Sequence, residues 1–261
     1  MKTWKVITVI LALLSFCIGI YLWILPKLNS KQSVEFLSKK ETQDILNADA
    51  DHYYSRFNKT DYQVRGVKNK EEYLAKIANS ACDVDFEVEE KIEYCIEKLQ
   101  KLLNNTKETQ NIVNGVSLEE LMKLPWKIGF TCDKHYENGL PHTRGDTILL
   151  NNKDVTTRTI DDTCKLLLHE QTHVYQKTKD MKSYLDENFD IMNIPEEEKT
   201  KIPANPDTDG VVYKDKKTGE LFQGQYNSQP KHFRDIDFKS GDFQKEHPFE
   251  YMAYKMESLI D

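Results

Sequence analysis

The pattern of apolar and polar positions divides the chain into three stretches. From Val6 to Leu25 twenty residues pass without a charge, with Lys2 and Lys5 before them and Lys27 and Lys31 after. At about 1.5 Å rise per residue such a run covers a hydrocarbon core of roughly 30 Å. Trp4, Tyr21 and Trp23 stand near its ends, where aromatic rings favour the interface. The pattern predicts one transmembrane helix, residues 6–25, within an N-terminal anchor of residues 1–26. A cleaved signal peptide is the competing reading. The run is longer than the usual apolar core of such a peptide, and Pro26-Lys27-Leu28-Asn29 offers no small-x-small cleavage site. The bulk of Phe16 disfavours a lipid anchor at Cys17.

Residues 27–125 read as mostly helical. Apolar residues recur at helical spacing in Glu71–Ile77 and again in Val88–Leu103, through Ile92, Ile96, Leu99, Leu102 and Leu103. Ser117 and Glu120 form a capping-box pattern before Leu121. This region reads as scaffold without chemistry of its own. From Trp126 the texture changes: Trp126–Thr131 and Asp146–Asn151 read as strands, separated by a loop-like segment, Cys132 to Gly145. A long helix fits Ile160 to Lys177, with Thr159 as its cap and Asp161 and Asp162 at its positive end. A further helix fits Asp180–Met192, a turn-rich loop 203–210, and a hairpin Val211–Lys214 with Glu220–Tyr226. Pro248 opens a last helix running to about Ile260. The expected class is α+β: a mostly helical N-terminal part, a small β-sheet and two site-bearing helices in residues 126–261, preceded by the transmembrane helix.

Charge narrows the partners. The full chain has a formal net charge of −7, and residues 27–261 keep 34 basic and 43 acidic residues. No nucleic acid is expected as a partner, nor an anionic membrane surface. The lysines after the apolar run favour a cytosolic domain by charge bias. Four cysteines outside the run, Cys82, Cys95, Cys132 and Cys164, favour an oxidising compartment. Asn58-Lys59-Thr60 and Asn104-Asn105-Thr106 are glycosylation sequons. The balance leans to a lumenal or extracellular domain, with Cys132–Cys164 and Cys82–Cys95 as the expected disulfides.

The chemistry concentrates in Leu166-Leu-Leu-His169-Glu170-Gln171-Thr172-His173. This is H-E-x-x-H within the helix already expected from periodicity. Residues i and i+4 share a helix face about 6 Å apart, so both imidazoles reach one tetrahedral zinc ion. Glu170 projects beside the ion, where a carboxylate takes a proton from water that the metal activates. A third histidine at metzincin spacing is absent, because Gln176 and Lys179 hold those positions. No Gly-Thr-x-Asp follows to supply an aspartate, so a glutamate from a second helix remains. Glu250 in Pro248-Phe-Glu250-Tyr-Met-Ala253-Tyr254 is the best source, with His247, Glu246, Glu257 and the Glu196–Glu198 cluster as rivals.

These residues resemble the gluzincin zinc metallopeptidases, the group that includes thermolysin. The resemblance covers about residues 126–178 and 246–261. It implies His169, His173 and Glu250 as metal ligands, Glu170 as catalytic base, and a peptide or protein substrate. Two departures stand out. Glu250 lies 77 positions after His173, long for the compact members, and Tyr254 occupies the position of the acid that orients a zinc-bound histidine. Glu257 or Asp162 could supply that acid. The oxyanion donor is open among His142, Arg144, Tyr226, Tyr251 and Tyr254. His142 and Arg144 precede a strand expected to form a sheet edge, along which a peptide could add. Arg144-Gly145-Asp146 is also an integrin-type tripeptide. The expected function is a membrane-anchored zinc metallopeptidase. The alternatives are a membrane-anchored surface or binding protein with a structural or vestigial zinc site, or a zinc hydrolase of a non-peptide bond.

Overall fold

The computed structural model describes residues 34–105 and 112–260. In chain order these run β1 (Val34–Phe36), α1 (Lys39–Ala48), α2 (Lys59–Val64), α3 (Lys70–Ile77), β2 (Ala81–Cys82) and α4 (Phe86–Asn105). A short hairpin, β3 (Ile112–Val113) and β4 (Val116–Ser117), leads to α5 (Leu118–Met122). Then come β5 (Trp126–Thr131), β6 (His142–Arg144), β7 (Thr147–Asn151), α6 (Asn152–Thr157) and α7 (Ile160–Thr178). The last part comprises α8 (Lys182–Asn188), β8 (Phe189–Ile191), α9 (Glu196–Lys199), β9 (Tyr213–Asp215), β10 (Leu221–Phe222), β11 (Gly224–Tyr226), β12 (Ile236–Phe238) and α10 (Pro248–Glu257). The architecture is mixed α and β with small sheets. The expected transmembrane segment, residues 6–25, lies outside the described residues. Among the described residues no helix is long and apolar enough to cross a membrane.

The main sheet has the order β1-β5-β7-β6. β5 and β7 run parallel and β6 returns antiparallel to β7. β1 pairs with the first half of β5 and β2 with its last residues, so both come from the region expected to be helical. Residues on either side of position 126 therefore share one sheet. Behind it, α4 presents Val88, Ile92, Cys95, Ile96 and Leu99, buried at three- and four-residue spacing, toward α7. A second, aromatic core gathers Tyr53, Tyr54, Tyr73 and Tyr136 around Leu46 and Ile77.

Several expectations need correction. The segment before Gly145 contains a strand, β6, whose His-Thr-Arg sequence gives no alternation signal and which exists through its pairing with Leu149, Ile148 and Thr147. β7 is consequently interior, buried at all five residues, and β6 is the edge. Gly145, at φ 59°, supplies the left-handed turn between them. The helix expected over Asp180–Met192 stops at Asn188. Phe189 then enters a strand because its ring packs edge-on against Tyr213 and Phe222. The later hairpin is shorter than expected: β9 begins at Tyr213, and β11 leaves β10 to pair with β12.

The cysteines pair differently from the expectation. Cys82 is joined to Cys132 and Cys95 to Cys164. The β2–β5 ladder brings Cys82 opposite Phe130, next to Cys132, while the packing of α4 on α7 brings Cys95 against Cys164. Asn58 is also not a free sequon. It caps α2, and its Nδ2 donates to the Ile202 carbonyl at 3.0 Å.

Candidate metal centre

α7 forms as the sequence predicts, with Thr159 Oγ1 accepting from the Asp162 N–H at 3.1 Å. The sheet, α4 and α10 pack around it, so nearly every side chain from Thr163 to Gln176 is buried. Polar groups on such a helix need specific partners. His169 and His173, one turn apart, turn their Nε2 atoms toward each other at 3.0 Å. The partners of their other nitrogens fix the tautomers. His169 Nδ1 lies 2.6 Å from the Glu257 carboxylate, which only accepts, so that nitrogen donates. Gln176 gives its amide N–H to the Phe249 carbonyl, so its oxygen faces His173 Nδ1 at 2.8 Å and that nitrogen also donates. The two Nε2 atoms are then the ring nitrogens not engaged by these partners, and they lie side by side.

The third donor comes from α10. Pro248 stands at its first position and His247 caps it, Nδ1 accepting from the Phe249 N–H at 3.1 Å. His247 Nε2 therefore donates to Asp209 Oδ1 at 2.9 Å, which removes His247 as a rival ligand. Glu250, in the first turn, directs Oε2 to 3.4 Å from His169 Nε2 and 3.7 Å from His173 Nε2. Donors bonded to a tetrahedral zinc ion at 2.0–2.1 Å stand about 3.3 Å apart. Two imidazole nitrogens and one carboxylate oxygen at these spacings fit such an ion. Among the described residues this is the one cluster of three such donors close enough to share a metal. The Glu196–Glu198 cluster lies in α9, which buries none of its residues, and is not part of it.

Charge around the cluster is unevenly settled. Burial and then the nearby Asp207 push the Glu170 carboxyl from 4.5 up to about 8. Its Oε2 has no hydrogen-bond partner. Burial works in the same direction on Glu250, but the imidazoles of His173 and His169 overcome it and hold that carboxyl well below its usual range. Both histidines are raised despite burial, His169 by Glu250 and Glu257, and His173 by Asp207 and Glu250.

A cavity of about 600 Å³ opens onto the cluster, lined among others by His169, Glu170, Glu250, Asp207, Phe243 and Tyr254. Its far wall includes Arg65 and Glu137, joined by a 2.8 Å ion pair, so the region expected to be inert scaffold reaches the site. Of the suggested oxyanion donors, Arg144 is buried against Asp51, Tyr54 and Tyr136. That burial also withdraws the integrin-type tripeptide. His142 is held by Tyr136 and the Leu140 carbonyl, and Tyr226 donates to Asp61 at 2.9 Å. Tyr251 packs against Phe222 and does not line the cavity. Tyr254 lines it, its ring 4.8 Å from that of His169, and its hydroxyl makes no hydrogen bond to the described residues. Asp162, offered above as a partner for a histidine, instead completes the Thr159 cap.

Three residues at the site carry no sequence expectation: Gln176, Asn205 and Asp207. Asn205 Nδ2 lies 3.1 Å from Glu250 Oε1 and 3.3 Å from Glu246 Oε1. Asp207 Oδ1 accepts from the Thr143 N–H at 3.0 Å and from Lys177 at 2.9 Å, and Lys177 also donates to the Thr143 carbonyl at 2.9 Å. Both backbone groups of Thr143 are thus occupied, so the β6 edge does not offer the peptide-pairing site expected beside His142 and Arg144. The signal in the sequence was a Pro-Ala-Asn-Pro-Asp turn, which points to a loop and not to a site. No protein-family model, curated protein or solved structure matches the chain.

Proposed function

We propose that the chain is a membrane-anchored zinc metallopeptidase, with His169, His173 and Glu250 holding one zinc ion and Glu170 acting as the base. The observation that supports this reading is the clustering of two Nε2 atoms and one carboxylate oxygen within 3.7 Å of one another, with both Nδ1 atoms engaged elsewhere. Zinc in such a donor set supplies Lewis-acid polarisation of a carbonyl and a lowered pKa for water.

The chain's own residues supply the remainder. Glu170, with an unpartnered oxygen at the cavity wall, accepts the proton of the attacking water and returns it to the departing amine. Tyr254 stays protonated, since burial raises its phenol, and its hydroxyl donates to the carbonyl oxygen as charge develops there. Glu257 and Gln176 hold the two imidazoles in their tautomers. Residues 6–25 serve as the anchor, and two disulfides support a domain on the oxidising side of the membrane.

The test uses the purified full chain. Zinc should bind one to one, His169→Ala or His173→Ala should remove most of it, and Glu170→Gln should keep zinc but lose peptide hydrolysis by about 10²–10⁴-fold. Zinc uptake undiminished in both histidine variants would sink the metal site. Zinc binding without turnover of a peptide library would favour a binding protein instead.

A further inference from the structure

The stretch between the histidine helix and Glu250 is more than a long connection. It carries Asn205 into the gap between Glu250 and Glu246. Which end of the amide faces the carboxylates follows from a third bond: the Asp207 N–H donates to Asn205 Oδ1 at 2.9 Å. The oxygen is thereby assigned to Asp207 and the two N–H groups to the carboxylates.

The backbone that delivers this amide is fastened along its length. Arg56 donates to the Asn205 carbonyl at 2.9 Å and to the Thr208 carbonyl at 2.6 Å. The Ala204 N–H donates to Asp61 at 3.0 Å, and Asp207 is gripped by Thr143 and Lys177. None of these bonds touches the proposed ligands. Their shared effect is to fix where Asn205 Nδ2 stands.

A glutamate has three side-chain torsions, so one in the first turn of a helix can adopt several directions. Glu250 has two anchors that define one direction: Asn205 on Oε1 and the imidazole pair on Oε2. The same amide gives an N–H to Glu246, which offsets repulsion between two carboxylates at one site. We propose that Asn205 is a positioning residue for the third metal ligand, and that the loop around it exists to hold that amide. The inference rests on the zinc reading above.

The test is metal affinity and coordination in the full chain, by chelator competition for zinc and by the visible absorption of the cobalt-loaded protein. Asn205→Ala should weaken zinc binding by about 10- to 100-fold, as is usual when a partner of a ligand is lost. Asn205→Asp keeps the size and the acceptor for the Asp207 N–H but removes the donor. It serves if the alanine variant misfolds, with near-ultraviolet circular dichroism of the metal-free protein checking the loop. The cobalt absorption should shift in both variants. Wild type that binds zinc, with variants matching its affinity and cobalt spectrum, overturns the role of Asn205 alone. Wild type that binds no zinc overturns the metal reading and this inference together.

Discussion

Replacing the Glu170 carboxyl by an amide should stabilise the metal-free protein near neutral pH while removing the proposed base. Glu170 is 3% exposed, and its Oε2 lacks a partner. Its carboxyl is raised by burial and then by Asp207, from 4.5 to about 8. The sign follows from linkage. An acid that holds its proton more tightly when folded costs nothing below its ordinary value, and an increasing amount as the pH climbs toward the folded one. Between 4.5 and pH 7 the cost reaches roughly 3 kcal/mol, at about 1.4 kcal/mol for each pH unit. Glu170→Gln removes it. Relative to wild type, the variant should gain on the order of 3 kcal/mol in going from pH 4.5 to pH 7, with the difference levelling off above pH 8. Urea unfolding of both metal-free proteins across that range measures this, as a midpoint difference growing by roughly 1 M. Stability profiles that stay parallel from pH 4.5 to 8 would refute the description of Glu170 as a buried carboxyl with an unpartnered oxygen.

Glu257→Ala should weaken zinc binding by about 10- to 100-fold, and Glu257→Gln by less, because the amide oxygen still accepts from His169 Nδ1; chelator competition distinguishes the three proteins. Peptide mapping of the non-reduced protein should recover Cys82–Cys132 and Cys95–Cys164, and replacing the latter pair by serines should cost about 3–4 kcal/mol in denaturant unfolding. Asn58 should carry no glycan when the protein is made in a glycosylating host, since the nitrogen that would bear it donates to Ile202. Asn58→Ala should lower stability by about 1 kcal/mol through loss of the α2 cap, and intact mass with thermal unfolding checks both.

What the sequence disclosed follows the range of the interactions involved. α7 and its Thr159 cap are written in local periodicity and one side chain, and Pro248 marks the start of α10 in the same local way. The meeting of His169, His173 and Glu250 was legible because helical spacing aligns the first two and few acids were suited to join them. β6 was not, since three residues of mixed polarity become a strand only when β7 lies beside them. The disulfides required knowing that β2 runs along β5 and that α4 lies on α7, which no spacing between cysteines encodes. Asn205 was hidden for a similar reason: its orientation depends on Arg56 and Asp207, one of them 149 positions away.

The closure of β6 also bears on how the protein avoids sticking to itself. An uncovered edge strand is a template for another chain, and proteins blunt such edges with charges or covering segments. Here Asp207 takes the Thr143 N–H and Lys177 of α7 donates to its carbonyl, so the cover is shared between the loop that faces the cleft and the histidine helix. Lifting this loop would free the Thr143 N–H in the same motion that withdraws Asn205 from Glu250. Release of the Glu250 side chain and partial exposure of the sheet edge therefore share a single structural trigger.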